Sequence, residues 1–154
     1  MLSLRTLEGD ALSAWLDRLG VEYAQERVAA GDEPERAKAS VERNRQEFFP
    51  GEVAAPGQLV FRLVNDEGQE VGTLWIGRMP ERPPGQWWVW TIEIEAPFRG
   101  RGFGRAAMEL GEQEARKAGA RRLGLNVFGT NAVARSLYES LGYEITELQM
   151  SKEL

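Results

Sequence analysis

Residues 87–105 read Trp-Trp-Val-Trp-Thr-Ile-Glu-Ile-Glu-Ala-Pro-Phe-Arg-Gly-Arg-Gly-Phe-Gly-Arg. An apolar run ends at Pro97, and a turn with three glycines and three arginines opens a helical pattern. Between Trp87 and Glu95 a period of two puts Trp88, Trp90, Ile92 and Ile94 on one face. Val89, Thr91, Glu93 and Glu95 fall on the other. Apolar groups on both faces predict a central strand. Beyond the turn, Phe103, Ala106, Ala107, Leu110, Ala115 and Ala118 keep helical spacing up to a stop at Gly119. Strand, glycine turn and helix together predict an anion cradle. Glycines let successive N–H groups converge, and the first helical turn adds unpaired donors and a partial positive charge.

Around that unit the chain alternates in type. Leu2, Leu4 and Thr6 predict a short first strand, and Leu12, Trp15, Leu16, Leu19 and Tyr23 fall on one helical face. Gly20 is the weak point of that helix and could divide it. A second helix starts near Pro34, with Asp32 as cap and Glu35 completing an Asp-x-x-Glu pattern, and ends at Phe48 before Pro50-Gly51. Residues 59–64 and 71–76 predict a hairpin around Asn65-Asp-Glu-Gly-Gln. The prolines at 80, 83 and 84 force a loop. Residues 122–128 predict a strand, 132–141 a short helix and 143–152 a last strand region. The expected fold is one α/β (α+β) domain over residues 1–154. Residues 87–95 and 122–128 form its βαβ unit.

The bulk numbers narrow the chemistry. The 154 residues suit one core, and a net charge of −5 disfavours a general grip on nucleic acid. Only Arg99, Arg101 and Arg105 make a local basic patch. The chain has no cysteine and no histidine, which removes disulfides, thiolate metal sites, Cys nucleophiles and the usual general base. No metal is expected. The N-terminal stretch lacks a cationic flank followed by a long apolar run, so the expected compartment is cytoplasmic, without a membrane span.

Three other glycine motifs fail at Gly100-Arg-Gly-Phe-Gly-Arg. A dinucleotide fingerprint needs glycine where Arg105 stands, and an acidic end to the strand at 122–128. A Walker loop needs Gly-Lys-Ser/Thr. Arg101-Gly-Phe-Gly opens an RNA-recognition signature, but a helix follows where that motif requires a strand. Arg99-Gly-Arg-Gly-Phe-Gly does satisfy Arg/Gln-x-x-Gly-x-Gly/Ala. A second block follows at residues 123–143, an apolar strand, then Asn131-Ala-Val-Ala and Leu137-Tyr-Glu-Ser-Leu-Gly-Tyr. In order and spacing the two blocks closely resemble the GNAT superfamily of N-acetyltransferases. The resemblance is weaker outside them but extends over about residues 55–152.

That resemblance implies a mixed central sheet of about six to seven strands with about four helices, and residues 9–49 as the variable, acceptor-side segment. It implies acetyl-CoA as co-substrate, its pyrophosphate held by Arg99, Gly100, Arg101, Gly102, Phe103 and Gly104, with Arg105 next in the helix. The pantetheine arm would run along Ile94, Glu95 and Asn126. Asn131 matches a family asparagine near that arm, although its position equally suits a helix cap. Tyr138 matches the tyrosine that protonates the leaving thiolate, or is a packed helix residue. Glu93 is the first candidate for the base, with Glu95 or a water chain as alternatives. A ping-pong route through acetyl-cysteine is excluded, which leaves direct attack by a primary amine of a small molecule or peptide. A non-catalytic acyl-CoA-binding sensor or partner domain is the alternative. Trp87, Trp88 and Trp90 either line an acceptor pocket or belong to the core. A monomer or a homodimer is compatible with all of this. Phe103 between the glycines and the short segment after Tyr143 depart from the family pattern.

Overall fold

The computed structural model describes residues 1–154. Its five strands are β1 (Leu2–Thr6), β2 (Gln58–Asn65), β3 (Glu70–Arg78), β4 (Gln86–Ile94) and β5 (Arg122–Leu125), in the order β1-β2-β3-β4-β5. All neighbours pair antiparallel except β4 and β5, which are parallel. Four α-helices flank the sheet: α1 (Gly9–Ala29), α2 (Pro34–Phe48), α3 (Phe103–Lys117) and α4 (Ala132–Ser140). No helix is long and apolar enough to cross a membrane.

The sheet divides the apolar interior in two. On one face α3 lays Ala107, Met108 and Ala115 against Leu63, Leu74, Ile76, Trp87 and Val89. On the other, α1 and α2 bury Leu12, Trp15, Leu16 and Phe48 against Val60 and Trp75, with Phe49 beside them. Helical spacing in the sequence thus marks the faces that are buried, each large side chain contributing about 1.5–3 kcal/mol.

Gly20 does not divide α1. It lies where α1 and α2 cross, and a Cβ there would stand 2.9 Å from Val41 Cγ1, so the glycine serves close helix approach. Asp32 does not cap α2. The N-cap is Glu33 without a side-chain bond, Pro34 takes the first position as expected, and Asp32 pairs instead with Arg27. Residues 143–152 form no strand, β5 stops at Leu125, and the sheet therefore has five strands rather than six or seven. Ile145, Leu148 and Met150, the apolar residues behind the expected last strand, are exposed.

The alternation expected along β4 is also broken. Ile76 pairs with Val89 but Trp75 with Thr91, so Trp90 is an extra residue, a β-bulge. Upstream of it Trp87 and Val89 face α3, and downstream Ile92 and Ile94 do so as well. Trp90 packs on the α1 side with Trp75 and Phe48 at ring-centroid distances of 5.5 and 5.0 Å. Trp90 and Ile92 therefore do not share a face. One inserted residue reverses which side chains look inward.

Candidate functional site

The bulge coincides with the end of β4–β5 pairing. The parallel register runs from Gln86 with Arg122 to Val89 with Leu125 and no further. Beyond it β4 continues to Ile94 with no strand against that edge, and β5 gives way to residues 126–128, which belong to no strand or helix. The sheet thus forks, leaving the β4 backbone accessible to an extended ligand.

At the end of β4 the chain passes through a short 3₁₀ turn, Ala96–Phe98, into the glycine turn. Gly100 and Gly102 lie in the left-handed region at φ 71° and 82°, and no atom lies within 4 Å of where their Cβ would be. Gly102 is the N-cap of α3. The N–H groups of Gly100, Arg101, Gly102, Phe103, Gly104 and Arg105 find no acceptor in the protein, and the first main-chain bond of the helix is Ala106 N–H to the Gly102 carbonyl. A continuous run of free donors at a helix N-terminus fits a phosphate group. Gly104 has a separate role. It is helical, and a Cβ would touch Leu137 Cδ2 of α4 at 3.4 Å.

The three arginines divide their tasks rather than converging. Arg99 Nε donates to the Ile94 carbonyl at 2.8 Å and fastens the turn to the strand. Arg101 lies over the rings of Phe98 and Phe103, 5.8 and 5.4 Å from their centroids. Arg105 donates to Ser140 Oγ at the end of α4. Only Arg101 has no hydrogen-bonded partner, so the unpaired donors of the turn are chiefly backbone N–H groups with arginine charge around them. Phe103 gives Arg101 a platform, a use for the aromatic ring between the glycines.

Glu93 and Tyr138 belong to opposite faces of the sheet. Glu93 reaches Arg18 of α1 at 3.4 Å, both side chains partly exposed, an ion pair worth about 0–1 kcal/mol and readily opened. Tyr138 packs against the cluster on the α3 face, its ring 6.0 Å from that of Tyr143, and its hydroxyl makes no hydrogen bond. Burial raises its pKa, keeping the phenol protonated. Tyr143 donates to Glu112 Oε1 at 3.1 Å, and burial, then that carboxylate, raises its pKa too. Glu95 donates its backbone N–H to the Val71 carbonyl at 2.9 Å, while its side chain is unpaired. Asn131 does cap α4, Oδ1 accepting from Ala134 N–H at 3.1 Å. No group of three or more His, Asp, Glu or Cys side chains is placed to hold a metal.

On the α1 side of the fork lies a cavity of about 750 Å³. Leu16, Leu19 and Tyr23 of α1, Phe48 of α2, Trp75 of β3, and Trp88, Trp90 and Thr91 of β4 line it, and Asn126 stands at the fork end. Trp88 and Trp90 therefore line it as the sequence allowed, whereas Trp87 is core at 3% exposure. The sequence put Tyr23 on the inward face of the acceptor-side segment but did not single out Trp75 or Arg18. Trp75 stands in an apolar strand run, and Arg18 borders the buried stripe of α1 with no motif to mark it.

The fork, the donor-rich turn and the side cavity have counterparts to seek among proteins of similar sequence and fold. The model of the acetyltransferase (GNAT) family matches residues 18–143. YycN of Bacillus subtilis, an uncharacterized N-acetyltransferase, is 32% identical over 154 residues, covering 99% of both chains. Its crystal structure superposes with a TM-score of 0.83, covering 100% of this chain and 99% of that one. A second uncharacterized N-acetyltransferase of Bacillus subtilis, YdgE, is 29% identical over 86% of this chain and 85% of its own. AAC(6')-Iy, solved with the bisubstrate analogue CoA-S-monomethyl-acetylneamine, shares the fold at a TM-score of 0.63 and 16% identity, covering 100% of this chain and 98% of that one. The chain belongs to the acetyltransferase (GNAT) family.

Proposed function

We propose that the chain moves an acetyl group from acetyl-CoA to the primary amine of a small molecule or peptide by direct attack, acting in the cytoplasm as a monomer or homodimer. The observation that carries this is the run of unpaired N–H groups at residues 100–105 beside an open fork in the sheet. Those groups would hold the pyrophosphate. Ile94, Glu95, Asn126 and the free Nδ2 of Asn131 border the path of the pantetheine arm. Acetyl-CoA supplies an acyl group activated as a thioester. The chain's part is proton management: Glu93, released from Arg18, takes a proton from the attacking amine, and Tyr138 gives one to the departing sulfur, whose thiol pKa lies near about 8.5. A new C–N bond replaces the C–S bond, and the thiol leaves protonated.

Calorimetry with acetyl-CoA and CoA tests the donor, and a thiol-release screen over amines tests transfer. No binding at high micromolar concentration would refute the proposal. Tyr138→Phe is expected to lower kcat about 10²-fold or more while CoA affinity holds; unchanged turnover removes the acid role. The Arg18–Glu93 pair favours a second reading, an acyl-CoA sensor whose carboxylate is structural. Tight CoA binding with no thiol release across amines and peptides would select it.

A further inference from the structure

The cavity beside the fork carries the chemistry of the acceptor, and the inference rests on the acetyl-transfer reading above. Its position is right for an acceptor, because its wall ends at Thr91 and Asn126, where β4 and β5 part. An amine at that end would reach the fork while the rest of the molecule stayed in the cavity. A volume of about 750 Å³ accommodates a compact organic molecule.

The lining is aromatic, and its aromatics are fixed. Trp75 and Trp90 stack obliquely at 5.5 Å between centroids with their planes 30° apart, and Phe48 and Phe49 brace them at 5.0 Å each. Trp88 continues the surface 6.5 Å from Trp90. It can do so because its partner across β5 is Gly124: a Cβ there would fall 2.3 Å from Trp88 Cζ3. The glycine leaves the indole lying across the strand at the edge of the cavity.

Charge argues against a polycation. The charged residues of the lining are Arg45, Glu47, Glu81 and Arg82, two of each sign. Arg45 is already held by Asp17 at 2.8 Å and by Glu52. The acidic balance of the whole chain is not concentrated here. A polyamine or aminoglycoside would shed hydration from several ammonium groups against a wall with no net negative charge. A molecule with one amine and a flat apolar body loses hydration from a single group and covers the indole faces.

We propose that the acceptor is a small monoamine bearing a flat aromatic body, an arylalkylamine, with the ring on Trp88 and Trp90 and the amine at Thr91 and Asn126. The test uses the full chain and measures thiol release from acetyl-CoA with 2-phenylethylamine, tryptamine, spermidine and kanamycin, after calorimetry has established donor binding. The expected result is kcat/KM for the aryl amines at least about tenfold above that for the polycations. In Trp88→Ala that preference should collapse through KM, with kcat kept. Because Trp88 packs on Gly124, Tyr23→Ala serves as the second variant, raising KM for the aryl amines from the opposite wall. Aryl amines should also quench tryptophan fluorescence of the CoA-bound protein, a readout independent of turnover. Preference for spermidine or kanamycin, or donor binding without turnover of any aryl amine, overturns the proposal and leaves the donor site standing. Absence of acetyl-CoA binding overturns the transfer reading and this inference with it.

Discussion

Gly102 offers the sharpest test of the donor site, because its replacement can be separated into a backbone cost and a ligand cost. At φ 82° an L residue is strained, and nothing lies within 4 Å to clash with an added methyl. Gly102→Ala should therefore cost only the left-handed conformation, about 1–2 kcal/mol. For a chain of this size that is a fall in Tm of about 2–8 °C. Gly119, at φ 96° beyond the C-terminus of α3 and equally unobstructed, is the control: Gly119→Ala carries the same backbone cost far from the turn. The two variants should melt alike without ligand. With CoA at a hundred times its Kd the wild type gains about 2.7 kcal/mol, roughly 5–11 °C. Gly119→Ala should keep that gain in full. Gly102→Ala should lose at least half of it, since about 1.4 kcal/mol disappears with each tenfold loss of affinity. Differential scanning fluorimetry with and without CoA reads both effects. Equal CoA shifts in the two variants would refute the assignment of the pyrophosphate to this turn.

Three further outcomes follow from particular contacts. Gly124→Ala should displace the Trp88 ring, lowering stability by about 1–3 kcal/mol and changing the near-ultraviolet circular dichroism of the tryptophans. The Glu52 carboxylate is held below its ordinary pKa by the Ser13 hydroxyl first and Arg45 second. A depressed folded pKa stabilises above the unfolded value and is lost below it. The Tm advantage of wild type over Glu52→Gln should thus shrink as pH falls below about 4.3, checked by melting curves across that range. Tyr143 has the opposite sign: its raised pKa stabilises the fold at pH below about 10 and the benefit fades as pH rises past it. Tyr143→Phe should flatten the alkaline fall in Tm and remove a late step from the phenolate absorbance titration.

Much of the glycine turn and of the start of α4 was legible because both rest on residues with few uses. Gly100 and Gly102 occupy backbone conformations that disfavour other residues, and Asn131 sits where an α4 cap is required. The helix at 9–29 announced its buried face by spacing. What stayed hidden depended on relations between distant segments. The Trp90 bulge leaves no mark in composition, since its evidence is the register with Trp75 and Ile76. Asp32 looked like a cap until Arg27, a turn earlier, took its carboxylate. The arginines of the turn looked equivalent, yet their partners Ile94, Phe98 and Ser140 are set by packing. Ile145, Leu148 and Met150 alternate too irregularly with their polar neighbours to specify a strand, and β5 is only four residues long.

The two apolar clusters share no buried residue. Their separation makes the molecule a pair of half-independent cooperative units fused along one sheet. Hydrogen exchange is expected to show it: the amides of the α1–α2 layer should exchange together and ahead of those of α3 and the strands beneath it. It also frees the two halves to diverge: aromatic side chains on the α1–α2 face can be exchanged to admit a different amine while the glycine turn, α3 and its cluster remain as they are. A lineage built this way can change what it modifies without relearning how to hold what it modifies with.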